Sequence, residues 1–200
     1  LHDSDDEDQK IKLIDILSHD VQRIERLITD YSQMLKDEVA LSKEKKNKIN
    51  LEIIVKSVVD DFNSIYKVKR GIKILFDKDN KSNKYFIFGI ENRIEQIIAN
   101  LLDNSISFSE DNKKILVKIF RNSNGTISLK VIDEGKGLKE KETKKIFDRF
   151  YSNRPDKFGK HSGLGLNIVK NLVDLHSATI TASNNINQKG ANIEIIFPKI

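Results

Sequence analysis

Between residues 8 and 42 the apolar side chains fall at Ile11, Ile14, Leu17, Val21, Ile24, Ile28, Tyr31 and Leu35, with no glycine or proline among them. Steps of three and four keep these residues on one side of an α-helix, so the segment predicts one long amphipathic helix. A single helix cannot cover its own apolar stripe and needs a partner helix. No helical pattern of matching length follows it. The expected partner therefore lies upstream, and two such hairpins would form a dimeric four-helix bundle. The opening at Leu1 on an acidic run agrees with a piece of something longer.

A charged connector, residues 43–48, comes next, and Asn50 is placed to cap a second helix to about residue 67. Ile53, Ile54, Val58 and Phe62 are expected to face inward from it. Short runs with β character follow at 72–76, 84–89, 115–120, 126–133, 179–182 and 192–197. Helical patterns at 91–108 and 165–176 interrupt them. A turn at 122–125 should join two strands, and alternating Ile127, Leu129 and Val131 give one of them a buried face. Hairpin strands with helices between them predict an α+β sandwich, a mixed sheet covered on one face. The domain division expected is 1–47 for the partial dimerisation helix and connector, and 48–200 for the globular domain.

Composition narrows the classes. Of 200 residues, 38% are hydrophobic and 32% charged, enough for one core with an extension. The net charge of +5 comes from lysines scattered among acids, not from a basic face with interleaved aromatics, which argues against nucleic-acid binding. Cysteine is absent, so thiolate metal sites and disulfides are excluded, in keeping with a reducing compartment. No apolar run approaches the roughly 18 to 20 residues of a membrane span. The expectation is a cytoplasmic portion, tied to a bacterial inner membrane only through an upstream part.

Three segments carry candidate chemistry. Asn100 and Asn104, in Asn100-Leu101-Leu102-Asp103-Asn104, stand one helical turn apart on one face. Neutral amide oxygens suit Mg²⁺, which keeps phosphate and water ligands, although such a pair can also simply solvate a helix. Asp133-Glu134-Gly135-Lys136-Gly137 ends a strand. Its glycines allow close backbone approach to a flat ligand, and a carboxylate there could accept from an exocyclic amine; an ordinary glycine turn is the alternative. Ser162-Gly163-Leu164-Gly165-Leu166 leads into a helix, and a glycine turn feeding a helix N-terminus offers free N–H groups to phosphate, or else only caps the helix. Between the last two lie Ile146-Phe147-Asp148-Arg149-Phe150-Tyr151 and a polar stretch with Arg154, a segment expected to close over phosphates. P-loop, Rossmann and eukaryotic-type kinase patterns are missing.

Taken in order, these segments resemble the asparagine box, first glycine box, phenylalanine box and second glycine box of the GHKL ATPases. In the forms NLLDN, DEGKG, IFDRFY and GLGL they are most similar to the sensor histidine kinases of two-component systems, in particular the envelope-sensing ChvG/ExoS/BvrS type. The resemblance implies a Bergerat-type two-layer sandwich, ATP with Mg²⁺ as cofactors, Asp133 reading adenine and Asn100 and Asn104 at the metal. It implies further ATP contacts from Gly135, Gly137, Arg149, Tyr151, Arg154, Ser162, Gly163, Leu164, Gly165 and Leu166. It also implies autophosphorylation of a histidine, a homodimer through the helical bundle and a response-regulator receiver domain as partner. A degenerate ATP-binding interaction module without phosphotransfer is the alternative.

His19-Asp20 resembles the phosphorylated His-acid pair, but Val21, Gln22, Arg23 and Ile24 follow it, without the usual Asn or Thr and Pro. The acceptor histidine is therefore expected on the upstream helix. Ser107 stands where many relatives carry a phosphate-contacting Lys, His161 where a glycine often opens the second glycine box, and Ser177-Ala178 where a glycine pair is common.

Overall fold

The computed structural model describes residues 44–79, 84–139, 143–149, 151, 163–186 and 189–200, together with residues 10, 13, 14, 17, 18, 21, 24, 25, 28, 29 and 32. Those last residues are each helical. Leu13, Ile14, Leu17, Val21, Ile24 and Ile28 among them are 53% to 64% exposed, so these apolar residues are uncovered.

β1 (Asn47–Asn50) begins inside the segment read as a charged connector, and it pairs antiparallel with β3 (Phe86–Gly89) from Asn47↔Gly89 to Asn50↔Phe86. Its side chains carry little β signal, since pairing is supplied by a distant strand. The residues before it are also held: the Glu44 carboxylate meets Arg93 at 2.8 Å, and Lys46 Nζ donates to the Leu175 carbonyl at 2.6 Å.

α1 (Leu51–Arg70) starts as expected, with extended Asn50 accepting the Glu52 N–H at 3.1 Å. It ends at Gly71, whose φ of 64° lets its N–H return to the Lys67 carbonyl, beside a basic last turn that offsets the helix dipole. The inward stripe is Leu51, Ile54, Val55, Val58 and Val59. Ile53 departs from expectation and is 64% exposed. At 3.6 residues per turn it lies about 200° around the helix from Leu51, on the opposite side. The helix also runs past residue 67, because Arg70 has a use at its end. Its Nη1 and Nη2 each donate at 2.7 Å, to the carbonyls of Ile106 and Ser109, and so cap α2 (Glu91–Phe108).

The main sheet has five strands in the order β2-β4-β5-β7-β6. β2 (Lys73–Lys78) runs parallel to β4 (Lys114–Arg121), while β5 (Ile127–Asp133), β7 (Ala191–Phe197) and β6 (Thr179–Asn184) continue antiparallel. The cross-strand rows Val117, Val131, Ile193 and Ile119, Leu129, Ile195 point into the core. Ile94, Ile97, Ile98, Leu101 and Leu102 of α2 and Val169, Leu172 and Val173 of α3 (Gly165–Leu175) cover them. The opposite face carries the ion pairs Lys118–Asp77 at 2.9 Å and Lys130–Glu194 at 3.2 Å. The result is the α+β sandwich with a mixed sheet. No described helix is long and apolar enough to cross a membrane.

Candidate active site

Asp133 is the last residue of β5 and lies opposite Ile115, in step with the inward residues Leu129 and Val131. Alternation therefore turns its carboxylate toward the helical layer, where another apolar side chain would otherwise stand. It is 5% exposed. Oδ1 accepts the N–H of Gly135 at 2.9 Å and of Ala191 at 3.0 Å, and the Ser105 side chain stands beside the carboxylate. Burial, the larger influence, pushes its pKa above the ordinary range, and these donors pull it back. A carboxylate has about four lone-pair directions, so one more N–H donor can be accepted.

The glycines beside it are required for space and conformation. A Cβ at Gly135 would stand 2.6 Å from the Phe108 carbonyl oxygen of α2, and Gly137 has a φ of 77°. The loop thus rests directly on the end of the helix that carries the asparagines.

Asn100 and Asn104 are half-buried, and neither side chain has a hydrogen-bond partner among the described residues. A Cβ at Gly165 would stand 3.6 Å from Asn100 Oδ1, so the asparagine face of α2 adjoins the start of α3. Ser107 is buried and donates to the Asp103 carbonyl at 2.7 Å.

At the start of α3, Gly163 has a φ of 71° and Leu164 provides no side-chain cap. The first backbone bond runs from the Ile168 N–H to the Leu164 carbonyl at 2.8 Å, and the N–H groups ahead of it have no helical carbonyl to reach. Leu164 is 1% exposed and Leu166 packs on the core, so a ligand would meet these two through backbone. Asn167 Nδ2 donates to the Phe147 carbonyl at 3.0 Å, which ties the turn Lys145–Phe147 to α3. Arg149 is exposed and Tyr151 half-buried. His19, Phe150, Arg154, His161 and Ser162 lie outside the described residues.

The second glycine segment therefore adjoins Asn100 midway along α2, while Asp133 and Gly135 adjoin Phe108 at the end of the same helix. Sequence reasoning missed Ser105, Asn167 and the turn from Asn184 to Ala191. Only Asn184-Asn185, a turn-forming doublet at a strand end, offered a local signal.

This arrangement defines a class. Residues 89–200 match the family of histidine kinase-, DNA gyrase B-, and HSP90-like ATPases, and the chain belongs to that family. Within it, the chain is similar to sensor histidine kinases: it is 35% identical to Sensor protein ChvG of Rhizobium meliloti over 89% of this chain and 32% of that protein. It thus spans about a third of that relative's length. Among solved structures, a nucleotide-free catalytic domain of histidine kinase ThkA superposes with a TM-score of 0.67 at 25% identity, covering 78% of this chain and 99% of that one. Histidine kinase ThkA in complex with response regulator protein TrrA shares the fold, with a TM-score of 0.66 at 24% identity over 86% of this chain and 48% of that one.

Proposed function

We propose that this chain binds ATP with Mg²⁺ between α2, the loop after β5 and the start of α3, and serves a sensor kinase that phosphorylates a histidine. The observation that carries this reading is the buried Asp133 carboxylate, held by the Gly135 and Ala191 N–H groups with acceptor capacity left over. It suits the exocyclic amine of adenine. Gly135 and Gly137 let the backbone close on the ring. The open N–H groups around Gly163, Leu164, Gly165 and Leu166 suit the phosphates, with Arg149, Tyr151, Arg154 and Ser162 as further contacts.

Asn100 and Asn104 fit Mg²⁺ because their amides are neutral, unpartnered among the described residues and next to the phosphate end. Mg²⁺, when bound there, would offset the negative charge of the phosphates. The same asparagines add no charge to repel the triphosphate.

In the whole protein a neutral imidazole nitrogen attacks the γ-phosphorus, ADP leaves with the bonding electrons, and the phosphoryl group passes to a response-regulator aspartate. The acceptor belongs to a helix upstream of Leu1, not to His19. Residues 1–47 supply one arm of a homodimeric bundle through the exposed stripe of Leu13, Leu17, Val21 and Ile24, and residues 48–200 form the ATP-binding domain. A degenerate module that binds ATP without transfer is the second reading, favoured by Ser107, whose hydroxyl is spent on the Asp103 carbonyl.

The test is to incubate this chain, and a longer one carrying the upstream helix, with Mg-ATP and to map phosphohistidine by mass spectrometry. Binding by both chains and phosphate upstream of Leu1 in the longer one are expected. Phosphate on His19 would overturn the missing-helix assignment. Binding without transfer in the longer chain would leave the degenerate module, and no binding at all would end the ATP reading.

A further inference from the structure

We infer that Asn184 and Asn185, at the turn between β6 and β7, are positioning residues that set the height of the loop 133–138 and thereby aim Asp133 at the amine of a purine. The inference rests on the proposal that Asp133 reads the base.

The β5–β7 ladder ends at Ile132↔Asn192, while β6 and β7 remain paired to Asn184↔Ala191. Past that point, among the described residues, side-chain amides of the β6–β7 connection bond the backbone of the loop. Asn185 Nδ2 donates to the Asp133 carbonyl at 2.8 Å. Asn184 Oδ1 accepts the Leu138 N–H at 2.6 Å, and its Nδ2 donates to the Leu138 carbonyl at 2.8 Å. A carboxamide offers the same donor and acceptor as a peptide group, so Asn184 acts as one more strand residue for Leu138.

Both ends of the loop, Asp133 and Leu138, are thus fastened to the same turn, with Gly135 and Gly137 between them. Gly190 completes the fit: a Cβ there would stand 1.9 Å from the Asp133 carbonyl oxygen, and one at Gly137 would stand 2.7 Å from Asn184 Oδ1. A loop with two glycines has many conformations when its ends are free. A hydrogen bond from an exocyclic amine to a carboxylate weakens within a few tenths of an ångström of its best distance, so the anchored ends determine whether that contact forms. Asn184 is itself exposed. Its bonds compete with water and add little to stability, which separates a positioning role from a structural one.

The experiment compares ATP with inosine triphosphate, which keeps the ribose and phosphates but lacks the amine, by calorimetry on the 200-residue chain with Mg²⁺. The unaltered chain should prefer ATP by about tenfold or more, as expected for one charge-assisted hydrogen bond. Asn184→Ala and Asn185→Ala should each cut that preference about fivefold, with inosine triphosphate affinity changed less than about twofold and the circular dichroism spectrum retained. Should an alanine variant not fold, Asn184→Asp carries the test, since it keeps the bond to the Leu138 N–H but sets an oxygen against the Leu138 carbonyl. An unchanged preference in the folded asparagine variants, with the preference lost in Asp133→Asn, would overturn the clamp and leave the base reading intact. Equal affinity of the unaltered chain for both nucleotides would overturn the base reading and the clamp with it.

Discussion

His176 accepts the backbone N–H of Ile90 on Nε2 at 3.1 Å while its Nδ1 lies 2.7 Å from the Leu172 carbonyl, so one buried ring joins the end of α3 to the start of α2. These two bonds require the neutral tautomer with the proton on Nδ1. The space is closed on a third side, since a Cβ at Gly89 would stand 2.9 Å from the ring. The helix that starts at the second glycine segment and the helix that carries the asparagines are thereby held in one relative position.

Acid should loosen that joint. Burial is the main influence lowering the His176 pKa below its ordinary value, and the Lys46 charge adds to it, against the opposing bond to Leu172. The unfolded chain therefore takes up the proton first as pH falls. The stabilisation is complete above about pH 6.5 and is lost below it, as pH descends toward the folded-state pKa. A thermal midpoint that declines from pH 7 to 5, with a flatter decline in His176→Gln, is expected; identical slopes would exclude this residue as the source.

Asn104→Asp should alter the magnesium dependence of nucleotide binding more than the fold. The new carboxylate repels the triphosphate when the metal is absent and attracts the metal when it is present. ATP affinity without Mg²⁺ should fall about tenfold while the added effect of Mg²⁺ grows. A magnesium titration that matches the unaltered chain would remove Asn104 from the metal site.

Arg70→Met should destabilise the domain by about 1.5–3 kcal/mol, because the carbonyls of Ile106 and Ser109 lose charged donors at the end of α2. Arg70→Lys should recover only part of this, since a single ammonium cannot reproduce the fork that spans two carbonyls. Urea unfolding of the three proteins, with equal m-values, makes the comparison.

Gly135→Ala should lower ATP affinity without unfolding the chain. The added methyl would meet the Phe108 carbonyl oxygen at 2.6 Å and Asp133 Oδ1 at 3.0 Å, and the loop must lift from α2 to relieve it. A loss of about tenfold or more in affinity, with a small change in thermal midpoint, is the expected calorimetric result. Unchanged affinity would mean that the loop does not contact the base.

Several of these features were legible in the chain alone. The Asn50 cap, the helix over 91–108 and the strands around 114–121 and 127–133 follow from short-range signals, and the structure places them within a few residues of the expected bounds. Ile53 was misread because it adjoins Ile54 in sequence, although the two point in different directions around the helix. β1 was missed because its pairing comes from β3, across all of α1.

The order of NLLDN, DEGKG, IFDRFY and GLGL and the alternation along β5 are properties of the sequence itself, because periodicity and glycine stereochemistry act over a few bonds. They were enough to specify the family, the sandwich and the candidate residues Asn100, Asn104 and Asp133. The tertiary structure alone decided that Ala191 holds Asp133, that Asn184 holds Leu138 and that Arg70 caps α2. In each of these contacts a donor meets an acceptor tens of residues away, brought there by the burial of shared apolar faces, and no local pattern encodes such a meeting.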